Sequence, residues 1–359
     1  MRIKALIIIS LYCLLPSCLQ EPDLSFYDLP LDTLSIPSDP MNELTMDKIY
    51  LGKGLFIDKS LSATGQISCG NCHDPEKNFE APLRADGVRM VGGCGEGFRL
   101  DSGLLVKMQG YEGKEDCMDW VKSTAAVNSA YNQISGLSGR FGGTDNEFLR
   151  ADKIRHFGLI LSKELEEKLF KCHATLFQAF VALAGHRQFF VDRLFDRPEL
   201  ISKLEIMFDK KIIKGVTDPN EMAFMVACCL DAYQRSILRS NTKFRHFARS
   251  QVQLSDQEML GWQLAKDNCI KCHTSPTFSG DIEISRFVNL PNVPDAANDI
   301  TTVGIFGDFT YRKVPTMNPD NSLYGPHGEF DSFANYIPVH YPFLNQAEAQ
   351  AIEAWFNTL

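Results

Sequence analysis

The sequence predicts an all-α protein with long loops, in which one module is used twice. Three observations carry this. Apolar residues recur at helical spacing around residues 45–58, 162–185, 218–238 and 255–268, and again at the end of the chain. A helical segment leads into Cys-x-x-Cys-His at 69–73, and another leads into the same pentad at 269–273. A glycine-rich, aperiodic stretch follows the first pentad over residues 80–120, and loops of that length in a compact domain usually serve function. The 359 residues are enough for two domains. With 44% hydrophobic and 23% charged residues, neither a disordered chain nor a multi-span membrane protein fits. A net charge of −9 gives no sign of the basic patches that nucleic-acid binders carry.

The elements follow in chain order. Arg2 and Lys4 precede an apolar run from Ala5 to Leu15, too short to span a bilayer and suited to a signal peptide over residues 1–17. Leu15-Pro16-Ser17-Cys18 resembles a bacterial lipobox, which implies a lipid anchor on Cys18 and an exported, periplasmic protein held at a membrane. Residues 18–44 carry Pro22, Pro30, Pro37 and Pro40, so no helix persists there and an extended tether is expected. From Thr45, Met46, Ile49, Tyr50 (or Leu51) and Leu55 fall at helical spacing.

Residues 162–185 read as one amphipathic helix. Residues 218–238 read as another, capped by Asp218 or Asn220, with a core stripe of Met222, Met225, Val226, Cys229, Leu230, Tyr233 and Ile237. Ser255 and Glu258 form a capping-box signature before the helix that enters the second pentad. A last helix occupies residues 345–359. The expected division is one domain over 45–165 and a second over 166–359.

Cys-x-x-Cys-His is the attachment signal for c-type haem. Two thiols one short turn apart can add to the two vinyl groups on one porphyrin edge, and the following histidine is carried under the iron. With 11 Cys and 8 His in the chain, one chance pentad is expected roughly 0.007 times, and here there are two. Zinc would need four ligands drawn together, and a redox dithiol needs no histidine. The pentads therefore point to two covalently bound haem c groups, on Cys69, Cys72 and His73 and on Cys269, Cys272 and His273.

Among the other histidines, His156, His173, His186 and His246 read as surface or structural, whereas His327 and His340 are better placed as ligands. In an exported protein the remaining cysteines favour disulfides. The expected pairs are Cys94 with Cys117, and Cys172 with Cys228 or Cys229.

Four blocks resemble the bacterial dihaem cytochrome c peroxidase family, which includes the MauG-type protein-modifying enzymes. They are "LGKGLFIDKSLSATGQISCGNCHDPEKNF" at 51–79, "STAAVNSAYNQISGLSGRFG" at 123–142, residues 232–281 around the second pentad, and "RKVPTMNPDNSLYGPHGEFDSFANYI" at 312–337. The resemblance implies two cytochrome-c-like haem domains with the haems edge to edge. It implies that peroxide reacts at the haem on His73, and that the haem on His273 is six-coordinate and relays electrons. It implies hydrogen peroxide as substrate and a small electron donor, a cytochrome c or cupredoxin. It also allows one calcium ion between the domains and a homodimer. The second reading is oxidation of side chains on a partner protein, and the third is a non-enzymatic electron carrier.

Several positions depart from the family pattern. Many members place a blocking histidine about sixteen residues after the first haem ligand, but residues 74–155 contain none. The family's catalytic glutamate falls five residues after the arginine matched by Arg140, which is Asp145 here, with Glu147 two further on. A tryptophan often found between the haems is replaced by Val127. Ungapped spacing puts the far-side ligand of the second haem at His340, and one insertion at Pro338 puts it at Tyr341.

Overall fold

The computed structural model describes residues 36–62, 65, 67–77, 79, 98–101, 104–107, 126–131, 147–156, 158–185, 189–238, 241–269, 303–306, 310–313, 343–356 and 358. Helices dominate them, in keeping with the all-α expectation. Two small antiparallel hairpins are added. One pairs β1 (Phe98–Asp101) with β2 (Leu104–Lys107), inside the stretch read as an aperiodic loop. The other pairs β3 (Val303–Phe306) with β4 (Thr310–Lys313).

The first core gathers α1 (Met46–Ile57), α2 (Cys69–Cys72), α3 (Glu147–His156), α4 (Lys163–Lys171), α5 (Ala174–Gly185), α6 (Val191–Leu194), α7 (Pro198–Phe208) and α8 (Pro219–Ser236). α8 is its axis. Asp218 caps the helix by accepting from the Asn220 N–H, and Pro219 stands at the first turn, where its missing N–H costs nothing. Of the expected stripe, Met222, Met225, Val226, Cys229, Leu230 and Tyr233 are buried, and Ile237, just past the helix end, is half-buried. Cys228, Asp231 and Arg235 are buried too, because α1 and α5 both pack against this helix. The second core holds α9 (Lys243–Ala248), α10 (Asp256–Asn268) and α11 (Gln346–Phe356), around Phe244, Trp262 and Trp355. Phe244 lies 4.7 Å from Trp262 and 5.7 Å from Trp355, ring centre to ring centre. α10 starts at the expected capping box, with Ser255 and Glu258 bonding each other's backbone N–H.

Each core closes on a helix crossing made at a glycine. A Cβ on Gly52 of α1 would stand 1.9 Å from the Cys229 carbonyl oxygen of α8, and one on Gly261 of α10 would stand 1.8 Å from that of Ala351 on α11. Backbones approach that closely only without a side chain between them. This crossing also explains why the face of α1 differs from the periodicity reading. Gly52, Leu55 and Phe56 are buried, while Met46 and Tyr50 are 57% and 66% exposed.

Two further expectations change. The helix read over 162–185 is two, because Cys172 turns extended (ψ 164°) after α4, and the His173 N–H bonds Asp39 Oδ2 at 3.0 Å instead of continuing the ladder. Cys172 forms no disulfide with Cys228 or Cys229. All three are buried free thiols, Cys172 donating to the Leu169 carbonyl and Cys229 lying 3.6 Å from Met207 Sδ. Cys94 and Cys117 lie outside the described residues. No described helix is long and apolar enough to cross a membrane.

Candidate functional site

The first pentad is built by a single helical turn. Ser68 precedes it in extended conformation, and its N–H and hydroxyl both donate to Asn71 Oδ1, at 2.9 and 3.1 Å. The His73 N–H closes the turn on the Cys69 carbonyl at 2.9 Å. This turn rests on the end of α1, where a Cβ on Gly70 would touch Ile57 Cγ2 at 3.2 Å. The residues between the two cysteines thus have physical jobs: Asn71 clamps the turn and Gly70 lets it lie flat on its neighbour.

His73 Nδ1 lies 3.2 Å from the Phe79 carbonyl oxygen. A carbonyl only accepts, so Nδ1 carries the proton and Nε2 carries the lone pair that a metal takes. The ring sits beside an aromatic group of Phe56, Phe79 and Tyr233, its centroid 6.4 Å from that of Phe56. Cys69 is half-buried, as is His73. A thiol and an oriented imidazole on one turn, against an apolar aromatic wall, fit a covalently held haem whose iron is bound through His73. In the second pentad, Cys269 caps α10, its N–H on the Ala265 carbonyl, and it packs against the Trp262 core. Cys272, His273, His340, Tyr341 and Asp145 lie outside the described residues. Glu147 opens α3 with its side chain exposed. Among the described residues no three His, Cys, Asp or Glu side chains come together as a metal site, so none marks the calcium position.

A buried polar network runs beside this site and was not foreseen. Asp231 Oδ2 accepts from Asn42 Nδ2 at 2.7 Å and from Arg235 Nη2 at 2.8 Å, and its other oxygen accepts from the Thr175 hydroxyl. Arg235 reaches the carbonyls of Pro37 and Asn42, and His173 Nδ1 lies 2.8 Å from Thr175 Oγ1. Burial pushes the His173 pKa down to about 4. His173 is therefore a structural, neutral histidine. The network ties the proline-rich arm at Pro37–Asn42 to α5 and α8. The sequence signal for it was an Asp and an Arg four residues apart, at the end of an apolar run in a helix read as amphipathic. The turn that carries Val127 is held on the far end of α8, where the Asn128 N–H bonds the Ile237 carbonyl at 2.8 Å.

Residues 46–253 match a protein family described as di-haem cytochrome c peroxidase. Among curated proteins, cytochrome-c peroxidase IdrP1 of Denitromonas iodatirespirans is 27% identical over 277 residues, which are 75% of this chain and 57% of that protein. Methylamine utilization protein MauG of Methylorubrum extorquens is 45% identical over 58 residues, 16% of either chain. Thus the chain spans no more than 57% of the length of either relative. Among solved structures, a variant of the diheme peroxidase BthA from Burkholderia thailandensis shares the fold with a TM-score of 0.51. Its sequence is 14% identical, and the match covers 88% of this chain and 86% of that one.

Proposed function

Since the chain belongs to the di-haem cytochrome c peroxidase family, we propose that it reduces hydrogen peroxide to water with electrons from a small redox protein, a cytochrome c or cupredoxin. The observation that supports this most is the pairing of two haem-attachment pentads in one chain, with the first histidine oriented by a backbone carbonyl as an iron ligand. The reaction takes one peroxide, two electrons and two protons to two waters. Haem bound at each pentad would supply an iron centre that accepts or passes one electron at a time. Two such centres match a two-electron oxidant supplied with single electrons.

The chain's own residues have three tasks. His73, its Nε2 left free to bind by the Nδ1 contact with the Phe79 carbonyl, would hold the iron of the first haem. Asp145 or Glu147 would move a proton between the two oxygens of peroxide as their bond breaks, and with the two electrons and two further protons both oxygens end as water. General acid–base work of this kind contributes typically ~10²–10⁴ in rate. His273, with His340 or Tyr341, would hold the second haem's iron, which would supply one-electron storage and relay. The apolar run before Cys18 supports export to the periplasm and a lipid anchor on Cys18.

Asp145→Asn and Glu147→Gln test the proton shuttle. One of them is expected to slow peroxide cleavage by ~10²–10⁴ with both haem spectra intact; full reactivity in both rules the assignment out. A second reading, oxidation of side chains on a partner protein, is favoured by the lack of any histidine over residues 74–155 and by Tyr341. Without a blocking histidine the haem on His73 should rest high-spin and the haem on His273 low-spin, and the oxidised protein should react with peroxide directly. Electron paramagnetic resonance on the resting protein checks this. Two low-spin haems, with no reaction before reduction, would mean a closed site opened by reduction.

A further inference from the structure

We propose that Phe79 is a positioning residue for His73, and that Tyr233, on α8, holds it in place. The proposal rests on the reading of His73 as an iron ligand and adds what governs its strength. Phe79 has φ +60°, in the left-handed region that a bulky residue rarely enters. Its N–H bonds the Asp74 carbonyl at 2.8 Å, closing the loop from 74 to 79. This conformation turns the Phe79 carbonyl back to within 3.2 Å of His73 Nδ1. A strained backbone of this kind persists only where its surroundings over-determine it.

The surroundings here are two rings from the two crossing helices. Phe79 meets Phe56 of α1 edge-on, with centroids 5.8 Å apart and planes at 75°, and meets Tyr233 of α8 at 6.2 Å and 63°. Phe56 and Tyr233 meet each other at 5.3 Å and 69°. Phe56 is 2% exposed and Tyr233 9%. The close crossing at Gly52 positions Tyr233, since a Cβ on Gly52 would lie 3.0 Å from the Tyr233 Cβ. A continuous line of contacts therefore runs from the α1–α8 crossing through Tyr233 and Phe79 to the imidazole. A ligating histidine that donates its other N–H to an oxygen is a stronger base toward its metal, and a stronger donor favours the oxidised iron. Packing far from the peroxide side thereby tunes the first haem.

The test uses the holoprotein and three variants: Tyr233→Leu, Phe79→Ala and Tyr233→Phe. The reduction potential of each haem is measured by redox titration, and the iron–histidine stretch of the reduced first haem by resonance Raman. Tyr233→Leu removes the ring edge, and Phe79→Ala removes the ring that holds the carbonyl in place while keeping the Cβ that disfavours a positive φ. Both should raise the first haem's potential and lower its iron–histidine frequency, with the second haem unmoved. Tyr233→Phe keeps the ring and should match the wild type. Potentials and frequencies unchanged in both Tyr233→Leu and Phe79→Ala, with two haems still attached, overturn the proposal. So does a Tyr233→Phe protein that behaves as Tyr233→Leu does, because the hydroxyl and not the ring would then be responsible. Should one of the first two variants fail to fold, the other with Tyr233→Phe decides. Wild-type protein with no haem on the first pentad overturns the iron-ligand reading itself, and this proposal with it.

Discussion

At the scale of single residues, His173 shows how burial converts a titratable group into a pH-dependent element of stability. Burial is the main cause of its low pKa; Arg235 and Arg150 push in the same direction, and Asp231 opposes them. With a folded value of about 4 against an ordinary 6.5, the unfolded chain takes up a proton that the folded chain refuses between those two pH values. Stability from this residue is therefore full above pH 6.5, falls as pH drops through the window, and is flat below 4. The gap corresponds to roughly 3 kcal/mol. Asp39, whose carboxyl burial raises, works in the opposite sense at the acid end. Denaturant titrations of wild type and His173→Gln at pH 7 and pH 4 should show that the variant loses less stability on acidification, by up to ~3 kcal/mol. Equal losses in the two proteins would show that His173 is not held neutral by the fold.

At the scale of elements, both haem-bearing modules depend on a helix crossing at a glycine, and the glycines of α1 make the point testable. An alanine at Gly52 would drive its Cβ into the Cys229 carbonyl, whereas one at Gly54 would meet nothing within 4 Å. Gly52→Ala should destabilise the protein by ~1–3 kcal/mol or more, as overpacking against backbone does. Gly54→Ala should stabilise it by ~0.5–1 kcal/mol, because alanine is the better helix former. Thermal melts of the two variants should move in opposite directions. Gly261→Ala should act on the other core, so hydrogen exchange should quicken in α10 and α11 for that variant and in α1 and α8 for Gly52→Ala. The helix starts that these crossings depend on were legible in advance. Asp218 and Ser255 cap through groups two or three residues away, and such contacts are readable along the chain. The break between α4 and α5 was not, because its cause includes Asp39, 134 residues from the His173 N–H that it accepts.

At the scale of the whole molecule, two cores carry one pentad each, so the two haem attachments should be separable. Denatured, reduced wild type should retain two haems per chain by the pyridine haemochrome assay. Cys269→Ala should loosen the second haem and leave the first. A count of one or none in the wild type would contradict a di-haem protein altogether. The first core is also bound to the arm before α1 through the buried Asp231–Arg235 pair. Asp231→Ala leaves a buried guanidinium without its carboxylate and should cost about 3–5 kcal/mol, read from denaturant midpoints.

What the sequence determined by itself was the chemistry that depends on near neighbours. A Cys-x-x-Cys-His pentad, a capping box and a helical stripe are each complete within a few residues. Their physics is that of one or two turns, so composition and spacing reveal them. The two haem sites, the helical class and the family resemblance rest on such local patterns. The tertiary structure alone decided which glycines serve as crossings, which charges are buried, which cysteines stay as buried thiols, and that Phe79, beside His73, packs on Tyr233. Each of these joins groups far apart in the chain; Asn42 and Asp231 are 189 residues apart. The energy of such a contact exists only after packing has removed water and brought the two segments together, so no window along the sequence contains it.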